Sequence, residues 1–329
     1  MIRYILKRIL TIIPVVLLVA VVVFTVMYFS PGNPAEIILG PGASEENIHT
    51  LEVQLGLDQP YFVQLGRFMF NTFIRFDLGN SYVNDISISH ELAMRFPKTL
   101  LLAVFAIVLE LIVGIPLGMI AAIKRNRWQD QLCMLFALIG VSAPAFWLGI
   151  EMVLIFSNKL HLLPSSGIST WTGWILPVIL VSLRGVAQMA RQARSSMLEV
   201  IKSDYVTTGR AKGLKEGEIM FKYALPNALI PLIQTAGNSF ASSLGGAIVI
   251  ESLFSIPGIG QYMIQAIGGR DYAVIRGTVV VLSIAFCLIM LIVDLIFAFV
   301  DPRIMAQYSS RAKKERYRAG HGKEVRSNA

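Results

Sequence analysis

The sequence has few charged residues for its length, and this scarcity narrows the class of protein. Charged side chains account for 15% of the 329 residues, against about a quarter in ordinary soluble proteins. Apolar side chains account for 55%, and the mean hydropathy is +0.63. This composition excludes a disordered or collagen-like chain and argues against a soluble enzyme.

Cysteine and histidine are also scarce, and neither is spaced as a metal site requires. Cys133 and Cys287 both fall inside apolar runs, which predicts packing rather than a disulfide framework. The four histidines are scattered and lack the HExxH spacing of a zinc helix. The sequence therefore predicts no metal site.

Motifs for nucleotide chemistry are absent as well. The sequence has no Gly-x-x-x-x-Gly-Lys-Ser/Thr loop that would cradle ATP phosphates, so the chain is predicted to carry no ATPase site and no cofactor of its own. No nucleophile, base and orienting group occur together, which argues against an enzyme. The net charge of +8 is expected to reflect membrane topology and not nucleic-acid binding.

What the sequence does contain is long apolar runs. Six of them are long enough to cross about 30 Å of hydrocarbon as helices. They are residues 9–29, 99–123, 132–156, 173–189, 228–250 and 277–300. The fourth is the weakest, since it is short and contains Pro177 and Arg184. The sequence therefore predicts an all-α integral membrane protein with six transmembrane helices.

Basic residues are distributed unevenly between the predicted loops. With the N-terminus inside, 21 of the 29 Lys and Arg residues fall on the inner side and 7 on the outer side, while Arg184 lies within a span. Because inner loops are enriched in Lys and Arg, both termini are predicted to be cytoplasmic. The predicted domains are an anchor helix (1–30), an outer cap with short helices (31–98), a five-helix core (99–300) and a basic, disordered cytoplasmic tail (301–329).

Three carboxylates, those of Glu110, Glu151 and Asp294, lie inside apolar spans. A charge at mid-membrane costs about 2.5 to 3.5 kcal/mol even on insertion scales, so these side chains are expected to face protein or water. Three interpretations stay open: a proton or cation relay, a cavity that recognises the positive end of a substrate, and a structural pair with Arg184.

Small residues recur every four positions in the second and fifth predicted spans. They are Gly114, Gly118 and Ala122 in the second, and Gly237, Ala241 and Gly245 in the fifth. This spacing lets helix backbones approach closely in lipid. The contacts are either within the chain or with a second membrane subunit.

A more specific pattern lies between the fourth and fifth spans. The stretch reads Asp204-Tyr-Val-Thr-Thr-Gly-Arg-Ala-Lys-Gly213, then nine residues, then Tyr223-Ala-Leu225-Pro226. Gly213 is able to adopt the positive φ that turns one short helix into another, and Pro226 suits a first helical turn. The pattern predicts a helix-turn-helix that projects into the cytoplasm.

This stretch resembles the EAA loop of ABC-importer permeases, whose pattern is Glu-Ala-Ala, three residues, Gly, nine residues, Ile, any residue, Leu-Pro. Gly213, Leu225 and Pro226 match at the required separations, whereas Thr207, Thr208 and Gly209 stand in the Glu-Ala-Ala places. The resemblance defines a coupling loop, residues 191–226. Its implied ATPase-coupling residues are Asp204, Tyr205, Arg210, Ala211, Gly213, Leu214, Leu225 and Pro226.

The similarity is to the dipeptide/oligopeptide/nickel branch of these permeases, and it extends along the chain as far as Ile304. The matching motifs are Arg8-Ile-Leu with Ile13-Pro14-Val15, Ser30-Pro-Gly-Asn-Pro34, Leu55-Gly-Leu-Asp-Gln-Pro60, Asp77-Leu-Gly-Asn-Ser81, Ser142-Ala-Pro-Ala-Phe-Trp147, Glu251-Ser-Leu-Phe-Ser-Ile-Pro-Gly-Ile-Gly260, Arg270-Asp271-Tyr272 and Asp301-Pro-Arg-Ile304. One departure is Met290, where the family often has Asn, four residues before the position of Asp294.

The resemblance implies a type I ABC importer permease fold in a bacterial-type inner membrane. It also implies partners: a homologous second permease, two ATP-binding subunits that hold ATP and Mg, and an extracytoplasmic substrate-binding protein. Closure of the ATPases is expected to move the coupling loop and so reorient the cavity. Peptides are the expected substrates, with nickel chelates, glutathione and oligosaccharides as alternatives.

On the outer face, the cap and the loop 251–276 are expected to receive the binding protein. The candidate residues of this loop are Glu251, Phe254, Pro257, Gly258, Arg270 and Asp271. In the alternative, the segment 253–257 forms a re-entrant helix that plugs the bundle.

Two rival functions are weighed against the importer. An ion-coupled secondary transporter would use Glu110, Glu151 or Asp294 as its ion site and would need no ATPase. A channel would need a filter loop, and no carbonyl-rich filter motif lies between the fifth and sixth predicted spans.

Overall fold

The computed structural model describes residues 2–40 and 42–300, in which helices are joined by turns and loops and the one β feature is an isolated bridge between Asn80 and Ser87. The helices are α1 (Ile2–Tyr28), α2 (Pro34–Leu39), α3 (Glu45–Leu55), α4 (Tyr61–Phe73), α5 (Ile88–Leu109), α6 (Ile115–Ile123), α7 (Trp128–Ser142), α8 (Ala145–Met152), α9 (Ile175–Val200), α10 (Asp204–Ala211), α11 (Glu216–Glu218), α12 (Leu225–Leu253), α13 (Ile259–Gly268) and α14 (Tyr272–Val300). The predicted disordered tail, residues 301–329, lies outside the described residues.

Several of these helices are joined by wider or tighter helical turns. A π-helical turn (Glu110–Gly114) joins α5 to α6, a second (Val153–Lys159) extends α8, and a third (Ile219–Ala224) joins α11 to α12. A 3-10 turn (Trp171–Trp174) leads into α9.

Four of the described helices are long and apolar enough to cross a membrane. They are Arg8–Tyr28, Ile88–Ile123, Trp171–Val200 and Tyr272–Ile296. A bent pair, α7 with α8, makes a fifth if it counts as one span. The predicted membrane protein is therefore confirmed in outline. The fifth predicted span corresponds to α12, which is not among these apolar helices, so six spans stay a prediction.

The third predicted span is wrong as a continuous helix, because the chain bends by 102° between α7 and α8. Ala143 has an extended backbone (φ −78°, ψ 135°). The ring of Pro144 disfavours a helical conformation in the residue before it and removes one backbone donor. Hydropathy does not register this break, because Pro144 lies within an uninterrupted apolar run.

The fourth predicted span, which is short and contains Pro177 and Arg184, forms α9 at the centre of the bundle. Half of the apolar window of α9 is buried, against 17% for α1, and α9 packs against α5, α6, α7 and α12. Close approach requires glycine here: a Cβ on Gly114 would lie 2.7 Å from the Cβ of Met189. The small-residue stripe of the second span therefore packs within the chain. In the stripe of the fifth span, Gly237 packs against Val293 within the chain, whereas Gly245 is exposed.

The outer cap contains the short helices that the sequence predicts. Asn33 accepts a hydrogen bond from the backbone of Ala35 and so caps α2. α4 packs on α1, with the rings of Phe68 and Phe24 5.4 Å apart. The apolar residues of the cap do not close a sealed core, because Phe62 is 81% exposed and α3 has no buried residue.

Candidate translocation and coupling sites

A short helix, a turn and a second short helix lie between α9 and α12, where the sequence predicts a helix-turn-helix. α10 ends at Ala211, and Gly213 follows with φ 78°, as the sequence predicts. The Arg210 guanidinium braces the turn, because its Nε donates to Glu216 Oε1 at 2.7 Å. This hydrogen bond lowers the pKa of Glu216 below its ordinary value. Gly213 itself is exposed, and a Cβ placed on it would meet nothing within 4 Å.

Two buried side chains attach the coupling loop to the bundle. Val206 of α10 and Ile219, after α11, are both 0% exposed. They share an apolar cluster with Met119, Met197 and Ala228 of the membrane helices. Leu214 and Leu225 are half-buried against the same cluster. A displacement of α10 must therefore move the inner ends of the helices that supply this cluster.

The rest of the coupling loop is exposed. Asp204, Tyr205, Arg210, Ala211 and Pro226 all lie at the surface of the chain. Tyr205 is the one aromatic residue among these five, and it is 43% exposed. The predicted coupling residues therefore form two groups, one packed against the bundle and one exposed at the surface of the chain.

Glu110 lies at a junction of three membrane helices. Its side chain is 1% exposed, and Ser239 Oγ of α12 donates to its Oε2 at 2.5 Å. On the side of α9, Gly185 leaves room for the carboxyl group, which a Cβ there would overlap. Within the described chain Oε1 has no hydrogen-bond partner. The π-helical turn begins at Glu110, and such turns often occur at functional positions.

The other two intramembrane carboxylates are placed differently. Arg8 donates to Asp294 Oδ1 at 3.0 Å and so ties α1 to α14. Glu151 is half-buried on α8. The proposed pairing of a carboxylate with Arg184 is wrong: Arg184 is exposed on α9, and no described carboxylate lies within ion-pair distance of it.

A polar cleft of about 510 Å³ lies between α9 and α12. It is lined by Gln188, Arg191, Gln192, Thr235, Asn238 and Ser242. Every one of these side chains is polar, none is acidic, and all belong to helices that the sequence predicts to span the membrane. The sequence analysis missed this cleft. The available signal was the low hydropathy of the fifth predicted span, whose polar residues recur at positions 235, 238 and 242.

Glu251, near the C-terminal end of α12, caps the start of α13. It is 0% exposed and accepts hydrogen bonds from Thr99 Oγ1 at 2.6 Å and from the backbone N–H groups of Gly260 and Gln261 at 2.7 and 3.1 Å. Gly258 packs directly on the carboxyl group, which a Cβ there would overlap. Glu251 is thus a buried structural residue in this chain.

The remaining outer-loop candidates divide between the interior and the surface. Phe254 is 1% exposed and packs among Leu102, Leu180 and Ile250, so it does not lie on an accessible surface. Asp271 is 3% exposed and accepts a hydrogen bond from Ser81 Oγ at 2.5 Å. Arg270 is exposed and Pro257 is half-buried.

Comparisons with known proteins were made for the whole chain. Residues 114–306 match a family described as the binding-protein-dependent transport system inner membrane component. Residues 1–103 match a second family, described as the N-terminal part of a binding-protein-dependent transport system membrane component.

Two similar proteins cover almost the same length. A Brucella suis biovar 1 protein, provisionally named a peptide transport system permease protein, is 41% identical over 308 residues, which are 91% of this chain and 98% of that protein. The glutathione transport system permease protein GsiC of Salmonella paratyphi A is 41% identical over 304 residues, 92% of this chain and 99% of that protein.

A solved structure shares the fold. The inward-facing MetNI methionine ABC transporter contains a chain that superposes with a TM-score of 0.56 at 22% identity, over 64% of this chain and 96% of that one.

Proposed function

The chain belongs to the family of binding-protein-dependent transport system inner membrane components, and on this premise we propose that it forms one half of a membrane pathway for peptides. The predicted resemblance to ABC-importer permeases of the peptide type is confirmed by the two relatives. The chain is thus a permease subunit of an ABC importer, and the ion-coupled alternative has no support in this family.

The polar cleft between α9 and α12 is the observation that carries the proposal. Lipid cannot solvate Gln188, Asn238 and the other polar groups of the cleft that fall within the predicted spans, so this face of a membrane protein must meet water, substrate or another subunit. A homologous second permease that covers the cleft would enclose a polar passage. We place the translocation pathway there, and Glu110 behind it as a structural residue at the helix junction.

The orientation of the chain follows from its charges. We propose six spans, with α12 as the fifth, in a bacterial inner membrane with both termini in the cytoplasm. The 21-to-7 excess of Lys and Arg on the inner side supports this orientation. α12 is acceptable as a span despite its polarity, because Thr235, Asn238 and Ser242 line the cleft and Ser239 contacts Glu110.

The energy would come from two partner subunits that bind ATP and Mg, while this chain carries no cofactor. We propose that Tyr205 and its exposed neighbours on α10 contact an ATPase. Because Val206 and Ile219 anchor the coupling loop in the bundle, closure of the ATPases would shift the helices as a body.

The substrate and its receptor are proposed from the relatives. The Brucella relative is named for peptides and GsiC for glutathione, which is itself a tripeptide. We propose small peptides over nickel chelates or oligosaccharides. An external substrate-binding protein would dock on the outer cap, whose Phe62 is 81% exposed, and on the exposed Arg270.

Uptake by the reconstituted complex tests this function. The chain is purified with its second permease and ATPases, inserted into vesicles, and supplied with the receptor and labelled peptides. We expect uptake that requires ATP and persists when the ion gradient is collapsed. Uptake that needs only an ion gradient, or accumulation by this chain alone, would contradict the proposal.

A further inference from the structure

Arg184 is a charged residue within a span that lacks an ionic partner in the described chain. It lies nine residues after the start of α9, about 14 Å along the helix. Its side chain is exposed, and the three intramembrane carboxylates do not pair with it. A guanidinium at this depth is costly against lipid, so it must face a polar environment.

The surface around Arg184 is concave. A cavity of about 260 Å³ lies at the bend between α7 and α8, and Arg184 is the one charged residue among those that line it. The cavity walls come from the last turn of α7, the Ala143–Ala145 bend, and Leu180 and Leu183 of α9. A small anionic group would therefore meet a single cation in an otherwise uncharged recess.

Residues of this recess and of the polar cleft lie on the same face of α9. Arg184, Gln188 and Arg191 are four and three residues apart on α9, so they share one face of the helix. The cleft that Gln188 and Arg191 line contains no acidic side chain. A substrate on this face would meet two cations separated by about 10 Å along the helix axis.

We propose that Arg184 is a specificity-determining residue that binds the carboxylate of the transported peptide. This inference rests on the proposed function, because it requires that the α9 face line the pathway. A guanidinium offers two parallel N–H donors that match the two oxygens of a carboxylate. A carboxylate of the second permease is the other conceivable ligand. The concave recess beside Arg184 favours a small mobile ligand over a packed subunit surface.

Binding of peptides to the complete complex without its receptor tests the inference, since the receptor's own selectivity is then removed. The probes are two libraries of tripeptides with neutral side chains, one with free C-terminal carboxylates and one amidated. Binding to the detergent-solubilised complex is measured by equilibrium dialysis and mass spectrometry. The variants are Arg184→Gln and Arg184→Lys, with Arg127→Gln as the control, because Arg127 is exposed at the inner loop before α7.

We expect the unmodified complex and the control to bind the free acids about tenfold more tightly than the amides, the low end for a hydrogen bond to a charged group. Arg184→Gln should reduce this ratio to near one, and Arg184→Lys should retain part of it. An unchanged ratio in Arg184→Gln, or no acid preference in the unmodified complex, would overturn the inference. Dissociation of the complex by Arg184→Gln but not by Arg184→Lys would also overturn it, because Arg184 would then pair with the second permease.

The uptake experiment distinguishes this failure from failure of the proposed function. If the complex takes up peptides with ATP but its preference for free-acid peptides does not depend on Arg184, the proposed function stands and only this inference fails. Absence of ATP-dependent uptake removes both.

Discussion

The two ends of α12 lead into turns of opposite character. At the outer end, the turn between α12 and α13 is buried, with Glu251 and Ile256 both 0% exposed. At the inner end, the turn at Gly213 is exposed and is braced by one surface ion pair, between Arg210 and Glu216. The outer turn is therefore packed into the bundle, whereas the inner turn is accessible to a partner.

The comparison also separates two uses of glycine. Gly258 and Gly260 are required at the outer turn because neighbouring atoms, including the Glu251 carboxyl group, leave no room for a Cβ. Gly213 is required for its backbone conformation alone, since its φ is 78° and its surroundings are open. Substitutions at the outer turn should therefore affect stability, and those at the inner turn should affect coupling.

The largest effect on stability is expected from Glu251→Ala. The change leaves Thr99 and the backbone N–H groups of Gly260 and Gln261 without their buried acceptor, which should lower the free energy of unfolding by about 3 kcal/mol. Denaturant titration of the chain in detergent measures this loss. The control is Glu46→Ala, at an exposed position in α3. Equal stability of the two variants would contradict a structural role for Glu251.

A smaller effect on stability is expected from Gly213→Val. A non-glycine residue in the left-handed region costs about 1 to 2 kcal/mol, and the cost should fall on the local turn because nothing packs against Gly213. Limited proteolysis should show faster cleavage in the coupling loop. Gly217→Val is the matched control, because Gly217 also has open surroundings but no positive φ. Equal cleavage of both variants would show that φ at position 213 does not matter.

The smallest effect is expected from Glu216→Gln. Exposed ion pairs contribute about 0.2 to 1 kcal/mol, and salt screens them. Because Arg210 lowers the pKa of Glu216 in the folded loop, the contribution is present above the ordinary pKa of 4.5 and is lost as pH falls through the lowered value. Cleavage of the unmodified loop should therefore increase only in acid, whereas Glu216→Gln should remove this pH dependence. If protease cleaved the unmodified loop as fast at neutral pH as in acid, the contribution of the ion pair would be contradicted.

The contrast explains how much of the molecule the sequence could predict. The inner turn was predictable because its determinant is local: Gly213 follows one short helix and precedes another. The outer turn was not, because the Thr99 that binds Glu251 lies 152 residues away in the chain. The sequence leaves Phe254 either in a receptor-docking loop or in a segment packed within the bundle, and only the fold shows that it is buried.

For the membrane helices too, local features could be predicted from the sequence and contacts between distant segments could not. Their positions followed from hydropathy, although α5 begins at Ile88, 11 residues before the predicted start at Thr99, because a helix need not end where hydrocarbon does. The break at Pro144 and the polar cleft depend on backbone geometry and on the pairing of distant helices. Hydropathy does not show the break, and the polar residues of the fifth predicted span indicate a polar face without identifying the helix that pairs with it.

Coupling through the inner turn is the central claim, and transport by the Gly213→Val complex tests it most directly. Receptor-stimulated ATPase activity and peptide uptake are measured together in vesicles that contain the complete complex, with Gly217→Val as the control. The account predicts that Gly213→Val inserts and assembles normally but loses both uptake and stimulation, while the control retains both. Normal uptake and stimulated hydrolysis in Gly213→Val would contradict it.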